Sequence, residues 1–377
     1  FREAVPASIR KKVSENRHLS KEEMVTSHKI LHSKGLAVPH WPKEWGGGGR
    51  SLAEQKVFYE ELARADCPRL LLTFVATYHA AATLMECGND AQKAKYLPGI
   101  LKGDVWCQGF SEPGAGSDLA ALKCKAELRG DRYVINGQKV WSTMAQYADR
   151  CLLLVRTSSE GAKQAGITFL LMDMKSKGIE VRPINQIQGD QEYCEVFLDD
   201  VEVPVEDRVG EEGKGWAVAQ ATLSSERGLT LMELTYRMRG ALRRIADLIR
   251  ENGREDDRGI LRDFGELVAR CDSACAIADR FIDNRMKGIE AIGDAQIVKN
   301  TYSRVLREYS LLGTRLGGMN EQYRWPITFG DLNTGNWMAD FMNSYAWTIA
   351  GGSEEVQRNI IAERMLEMPR EPKGWVL

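Results

Sequence analysis

Apolar residues recur at helical spacing at both ends of the chain and at strand spacing in the middle. The helical pattern covers residues 53–62, 70–85, 91–101, 217–252, 258–287, 295–312 and 354–366. Four consecutive glycines at residues 46–49 predict a connector before these helices, because glycine runs destabilise a helix. The order of elements is therefore α, then β, then α.

Short runs rich in Val, Ile, Tyr and Phe lie between residues 105 and 208, each closed by turn residues. The predicted strands are residues 132–135, 138–141, 151–156, 167–172, 179–183 and 193–198. Asn136-Gly137, between the first two, predicts a tight hairpin. Strands at this spacing indicate a small β-barrel or sandwich.

We therefore predict an α+β protein of three domains. They are an N-terminal all-α domain (1–104), a middle β domain (105–212) and a C-terminal domain resembling a four-helix bundle (213–377).

Charge and composition exclude several classes of function. The formal net charge of −2 over 377 residues provides no basic face for nucleic acid. No run reaches the ~18 uncharged apolar residues of a membrane-spanning helix, and the first residues have no apolar signal-peptide core. The eight cysteines form no C-x-x-C pair, and His28 and His32 lack a third ligand, so no metal site is expected. These features predict a cytoplasmic protein.

Residues 109–118, GFSEPGAGSD, are the segment richest in possible chemistry. Leu119 stands where a dinucleotide-binding fingerprint needs glycine, and the segment is not a P-loop. Small hydroxyl and turn residues of this kind can bring backbone N–H groups to an anionic or amide-rich ligand. Taken alone, the segment fits a plain turn between strands equally well.

Five segments, in the right order, resemble the acyl-CoA dehydrogenase family. Residues 109–118 are similar to its T-E-P-G-A-G-S-D signature, and residues 130–143, GDRYVINGQKVWST, to its G-x-x-Y-x-I-N-G-x-K-x-W-I-T block. The other three are residues 88–98, 203–215 and 352–361. The resemblance covers nearly the whole chain and implies an FAD enzyme that oxidises the α,β carbons of a coenzyme A thioester.

By this resemblance, residues of three segments should contact FAD. Near the flavin ring they are Phe110, Ser111, Trp141 and Thr143, and near the ribityl-phosphate portion Ser353 and Glu355. Ser117 occupies a position that usually contacts the coenzyme A side. Taken singly, Trp141 fits a buried core residue, and Ser111 and Ser353 fit helix caps.

The chemistry needs a carboxylate to remove the α proton, and here the chain departs from the common family pattern. Gly351 stands where many members have the catalytic Glu, so only its backbone N–H remains, as a donor to the thioester oxygen. A minority of the family has the base on an earlier helix, directly before an arginine. Glu226, followed by Arg227 as an orienting substrate-side residue, matches that position. A solvated surface Glu is the alternative for Glu226, and Glu354 is a third candidate base.

Two further departures concern assembly. The family's R-x-x-F-G motif is not found at its expected place near residues 252–259, and Arg262-Asp-Phe-Gly265 resembles it with one residue too few. The family's Q-x-L-G-G segment is not intact near residues 309–318. These changes resemble members that assemble as mixed complexes sharing flavin sites, so a homo- or hetero-tetramer is expected.

The leading hypothesis is an active dehydrogenase that passes electrons to an electron-transfer flavoprotein, with a lean towards bulky acyl-CoA substrates. A non-catalytic partner subunit that completes a sister chain's FAD site is the alternative. A flavin oxidase or monooxygenase on the same fold is the third possibility, and no sequence feature tests it.

Overall fold

The computed structural model describes residues 1–14, 19–68, 71–226, 229–289, 292–323 and 337–370. These residues form two compact units. The first contains residues 1–14, 19–51, 66–68 and 71–226, and the second contains residues 52–65, 229–289, 292–323 and 337–370.

Six α-helices occupy the first hundred residues. They are α1 (Ala7–Ser14), α2 (Lys21–Ser33), α3 (Leu52–Arg64), α4 (Leu71–Phe74), α5 (Ala81–Cys87) and α6 (Asp90–Lys102). A π-helical segment, Val75–Ala80, joins α4 to α5. Helices α2 and α6 both begin with a capping box, Ser20 with Glu23 and Asn89 with Gln92, which satisfies free N–H groups of the first turn. The helices predicted at 53–62, 70–85 and 91–101 are confirmed, apart from residue 70, which lies outside the described residues.

Eight strands then form one mixed sheet. They are β1 (Trp106–Gly109), β2 (Lys125–Arg129), β3 (Arg132–Thr143), β4 (Arg150–Arg156), β5 (Ile167–Asp173), β6 (Ile179–Pro183), β7 (Tyr193–Pro204) and β8 (Arg208–Val209). The strand order is β6-β7-β3-β2-β4-β5-β8, and β1 pairs with β4 in parallel. The predicted α, β, α order is therefore confirmed.

The hairpin predicted at Asn136-Gly137 is wrong. Strand β3 runs without a turn through both residues, and the tight turn lies at Gly130, between β2 and β3. Asn136 bonds Asp200 on β7 through both its amide and its carbonyl group, at 2.9 Å each. A bulge accommodates Gly137, where an added Cβ would lie 2.8 Å from Cys124.

Strand β4 is buried on both faces, which explains its unbroken apolar run. Leu152 and Leu154 join the core formed with the helices of the first unit. Cys151, Leu153 and Val155 join the core on the opposite face.

Helix α6 is held to the sheet by a buried polar group. The Tyr96 hydroxyl donates to Asp207 Oδ1 at 2.5 Å, and Lys95 Nζ pairs with the same oxygen at 2.8 Å. Burial, followed by the bond to Asp207, raises the pKa of Tyr96 to about 12. Gln92 Nε2 donates to the Glu206 and Arg208 carbonyls, at 2.8 Å each.

The second unit is helical. It contains α3 and, after α7 (Gly215–Glu226) of the first unit, α8 (Leu229–Glu251), α9 (Arg258–Met286), α10 (Asp294–Tyr323), α11 (Trp337–Ser344), α12 (Ala346–Ile349) and α13 (Glu354–Ile360). The helical pattern predicted α7–α10 and α13 and missed the short α11 and α12. Helix α3 packs on α8 and α9. Lys56 Nζ lies 2.9 Å from Asp279 Oδ1, which also accepts the Tyr236 hydroxyl at 2.5 Å.

Within the described ranges, no helix combines the length and the apolar character needed to cross a membrane. The described residues likewise contain no group of three or more His, Cys, Asp or Glu side chains that could hold a metal ion.

We predict that Tyr96→Phe lowers the free energy of unfolding by about 2 kcal/mol, because the variant leaves the buried Asp207 carboxylate short of a donor. Urea denaturation measures this loss. Tyr345→Phe, at a ring that is 47% exposed, serves as the control and should change stability by less than about 0.5 kcal/mol. Equal losses in both variants would contradict a special role for the Tyr96–Asp207 bond.

A second prediction concerns His40, which stacks on Tyr78 with 4.4 Å between ring centroids and contacts the Thr77 carbonyl through Nε2 at 3.2 Å. Burial lowers the pKa of His40 from 6.5 to about 4. As the pH falls below 6.5, the unfolded chain therefore protonates first, and stability is lost until the pH reaches about 4.

His40→Phe keeps the ring stack and removes the titration. Between pH 7 and pH 5 the variant should lose about 2 kcal/mol less stability than the parent protein. Thermal unfolding across this pH range is the measurement, with His32→Phe on the exposed side of α2 as the control. Parallel pH profiles for parent and His40→Phe would show that His40 does not cause the pH dependence.

Candidate active site

The loop at residues 110–118 leaves the sheet directly after β1. Gly109 ends the strand where an added Cβ would lie 2.9 Å from Leu153 Cδ1 and 3.0 Å from Cys151 Sγ. The Phe110 ring is buried and packs edge-on against Phe169, with centroids 5.8 Å apart. The ring therefore packs in the core at the start of the loop. The predicted contact of Phe110 with a flavin stays a prediction.

Glu112 fixes the shape of this loop. Its Oε2 accepts the Lys123 N–H at 2.6 Å, and its Oε1 accepts the Cys124 N–H at 2.8 Å. Lys139 Nζ, on β3, donates to the same Oε1 at 2.8 Å and to the Phe110 carbonyl at 3.2 Å. Neither Glu112 nor Lys139 was predicted from the sequence, although each lies inside one of the two motifs that resemble the family.

The loop and the end of β3 are joined directly. The Val140 N–H donates to the Ser111 carbonyl at 2.9 Å. The structure thus brings together Ser111 and Trp141, two of the predicted flavin-edge residues. Ser117, at the far end of the loop, is exposed, and the neighbouring Asp118 pairs with Lys163 at 2.8 Å.

Trp141 is an exposed aromatic residue in a strained backbone conformation. Its φ is +60°, its side chain is 58% exposed, and its ring meets Tyr193 edge-on at 6.1 Å. A left-handed conformation costs a non-glycine residue roughly 1–2 kcal/mol. A bulge between Lys139 and Ser142 turns this indole outwards, so Trp141 is not a core residue.

The neighbours of Trp141 alternate across the strand. Ser142 is fully buried, and its Oγ has no hydrogen-bond partner among the described residues. Thr143 is half-buried and pairs with Tyr193 on β7. An exposed, flat indole beside a half-buried hydroxyl fits the face and polar edge of an aromatic ring system such as a flavin.

The predicted C-terminal residues lie at the start of α13. Gly351 and Gly352 have φ values of +68° and +87°, in the region that favours glycine. Ser353 is the N-cap of α13, with its Oγ accepting the Val356 N–H at 3.3 Å, so its hydroxyl acts as a helix cap. Glu355 is exposed, and the backbone N–H groups of the first helical turn lower its pKa.

Gln357, which was not predicted from the sequence, organises this turn. Its Nε2 donates to the Gly351 carbonyl at 2.9 Å and to the Gly352 carbonyl at 3.3 Å. The Oε1 atoms of Gln357 and Glu354 are buried, and neither has a hydrogen-bond partner within the described part of the chain. Such buried acceptors are suited to the N–H and O–H donors of a bound ligand.

Glu226, the predicted base, is the last residue of α7, and its side chain lies outside the described residues, as does Arg227. Helix α7 itself is packed on three elements. Thr222 Oγ1 bonds Thr83 Oγ1 on α5 at 2.6 Å, and α7 also packs on β5 and on the π-helical segment. The end of α7 therefore belongs to the same unit as the loop and β3.

Comparison with known proteins identifies the fold and the family. Three family models match consecutive parts of the chain: the N-terminal (1–104), middle (107–201) and C-terminal (213–366) domains of acyl-CoA dehydrogenase. Acyl-CoA dehydrogenase IpdE1 of Mycolicibacterium smegmatis is 36% identical over 372 residues, covering 95% of this chain and 91% of its own length.

Two solved structures agree with these matches. The Tcur3481-Tcur3483 steroid ACAD is 31% identical with a TM-score of 0.88, and covers 98% of this chain and 95% of its own. A chain of the ChsE4-ChsE5 complex from Mycobacterium tuberculosis is 29% identical with a TM-score of 0.80, covering 98% and 94%.

The chain belongs to the acyl-CoA dehydrogenase family. Members of this family are flavoprotein oxidoreductases that act on CH–CH groups, and the resemblance inferred from the sequence is confirmed. A flavin cofactor follows from this membership.

We predict that the left-handed conformation of Trp141 contributes to ligand binding and not to the stability of the fold. Trp141→Gly should keep the free energy of unfolding within about 1 kcal/mol of the parent protein, because glycine relieves the left-handed φ. The same variant should weaken flavin binding about tenfold, since it removes the exposed ring. Urea denaturation and flavin titration of the apoprotein measure the two effects.

Met144→Gly is the matched control, because Met144 also has a left-handed φ (+54°) but is buried. This variant should lose about 2–4 kcal/mol of stability. If Trp141→Gly were as unstable as Met144→Gly, Trp141 would have to be assigned to the fold.

Proposed function

We propose that the chain catalyses FAD-dependent α,β-dehydrogenation of an acyl-CoA thioester, with Glu226 as the base that removes the α proton. The observation that carries this proposal is the exposed, strained Trp141 bonded through Val140 to the Ser111 loop, in the unit that also holds the end of α7. Trp141, the proposed contact for the flavin, and residue 226, the proposed base, therefore belong to one folded unit. FAD is the flavin that this family uses as standard.

The protein's own groups supply binding, orientation and proton transfer. The Glu226 carboxylate takes the α proton, and the hydroxyls of Ser111 and Thr143 donate to the polar edge of the flavin. Trp141 covers one face of the site and excludes water, which favours a basic carboxylate. The flavin, when bound, supplies the acceptor for the hydride that leaves the β carbon.

Gly351 supports the choice of Glu226. No side chain at residue 351 can take a proton, and its φ of +68° is one that a glutamate adopts only with strain. Glu354, the third candidate, is engaged in an ion pair with Arg358 at 3.0 Å. We therefore assign the proton transfer to Glu226, whose place in the sequence matches the earlier-helix base of part of the family.

The acyl group that we propose is bulky and ring-bearing. This rests on the relatives, one of which is described as a steroid ACAD and another as cyclohex-1-ene-1-carbonyl-CoA dehydrogenase of Syntrophus aciditrophicus, 33% identical over 256 residues. We propose an electron-transfer flavoprotein as the electron acceptor.

We also propose that the working form is a mixed complex of two different family chains. Two structural relatives are described by paired chain names, Tcur3481-Tcur3483 and ChsE4-ChsE5. In addition, Arg262, the arginine of the shortened segment that resembles the family's motif, is 72% exposed and pairs with its neighbour Asp263 at 3.2 Å.

The test of the base is Glu226→Gln. We expect the variant to keep its flavin and to lose about 10²–10⁴-fold in the rate at which a ring-bearing acyl-CoA bleaches the flavin anaerobically. Glu211→Gln, at an exposed glutamate of the same unit, is the matched control and should bleach at the parent rate. Unchanged bleaching by the Glu226→Gln variant would exclude Glu226 as the base.

The second candidate function is a non-catalytic partner subunit, which Gly351 and the exposed Arg262 favour. It predicts a chain that is colourless when purified alone and a mixed complex that remains fully active with Glu226→Gln. Stopped-flow spectroscopy of the chain alone and with its sister chain separates the two functions.

A further inference from the structure

The salt bridge between Glu112 and Lys139 is almost completely removed from water. The side chains are 9% and 1% exposed, and Nζ lies 2.8 Å from Oε1. Desolvating two charges costs about as much as their attraction returns, so a buried pair is weak support for stability alone. A fixed geometry is the better-attested use of such a pair.

The pair ties three separate pieces of chain to one another. Glu112 accepts the backbone N–H groups of Lys123 and Cys124, ahead of β2, at 2.6 and 2.8 Å. Lys139 Nζ reaches back from β3 to the Phe110 carbonyl at 3.2 Å. Both Glu112 oxygens thus accept hydrogen bonds from within the protein, and the Lys139 ammonium group donates two.

Each member of the pair lies next to a residue of the flavin edge. Ser111 directly precedes Glu112, and Trp141 follows Lys139 by two residues. Between them runs the bond from the Val140 N–H to the Ser111 carbonyl. The ion pair and this backbone bond therefore join the same two segments, the loop that carries Ser111 and the strand that carries Trp141.

We infer that Glu112 and Lys139 are positioning residues, which hold Ser111 and Trp141 at the spacing that a flavin ring requires. This inference rests on the proposed function. The pair does not touch the ligand, because its charged atoms are buried under the loop; it acts by keeping the left-handed Trp141 and the loop in the binding-ready arrangement. Without it, the bulge can relax and Trp141 can leave its strained conformation.

The test removes both charges together, since a single change leaves one buried ion unpaired. Glu112→Gln combined with Lys139→Met keeps the lengths of the side chains and an oxygen acceptor for one of the two backbone N–H groups. Lys139→Arg, which leaves neither buried ion unpaired and changes the geometry of the donor, is the second variant if the double variant does not fold. Asp118→Asn with Lys163→Met is the matched control, because that pair has the same 2.8 Å separation and also has its carboxylate on the loop, but is exposed.

Two measurements are made on each protein. The first is the fluorescence anisotropy of Trp141 in the apoprotein, obtained as the difference from the same variant carrying Trp141→Phe. The second is the dissociation constant and the absorption spectrum of FAD. We expect the charge-free variant to show lower Trp141 anisotropy, at least tenfold weaker FAD binding and a shifted flavin band, with the control pair unchanged in all three.

Unchanged Trp141 anisotropy in a folded variant would overturn the inference, whether or not FAD binds. Lower anisotropy with unchanged FAD affinity and spectrum would also overturn it, because the spacing would then not matter to the flavin. If neither the parent protein nor the control binds FAD, alone or with a sister chain, the proposed function fails, and the anisotropy still decides whether the pair positions Trp141.

Discussion

The pairing of β3 with β7 is the constraint on which the middle of the molecule depends. The two strands pair from Arg132 opposite Pro204 to Thr143 opposite Tyr193, while β2 covers the first part of the other edge of β3. Side chains alternate across a strand, so a slip by one residue would move Trp141 into the core and Ser142 out of it. The bulge before Ser142 sets this register, and with it the outward direction of the indole.

The long helices were predictable from sequence because they show several turns of apolar periodicity, which the eight and four residues of α11 and α12 do not. Strands β1, β2 and β8 were missed. Strands β1 and β8, with four and two residues, are too short to show alternation, and β2 contains no β-branched or aromatic residue. The false hairpin at Asn136-Gly137 has a different cause. This dipeptide favours a turn locally, but the paired hydrogen bonds between Asn136 and Asp200 hold it within the sheet. Tertiary contacts here outweigh turn preference, and no local pattern signals them.

The residues of the candidate site could be predicted only where they lie in a motif that resembles the family. The structure joins Ser111 to Trp141 through Val140, as the two motifs suggested, but the Ser353 hydroxyl is used in capping α13. Glu112, Lys139 and Gln357 were not predicted, because charged and amide side chains are usually exposed and the sequence does not show which ones are buried. The base assignment to Glu226, the contact of Ser117 and the bounds of the three domains stay predictions.

Helix α3 has a consequence for the order in which this protein is made. Its residues 52–64 pack on α8 and α9, whose contacting segments are synthesised more than 150 residues later. At roughly 5–20 residues per second, translation leaves this helix without its partners for on the order of ten seconds. Leu52 and Ala63, which pack against the core of the second unit in the finished protein, lack that core during the interval. The nascent chain therefore presents the apolar face of an amphipathic helix to chaperones before its second unit exists, and that unit closes only after most of the chain has left the ribosome.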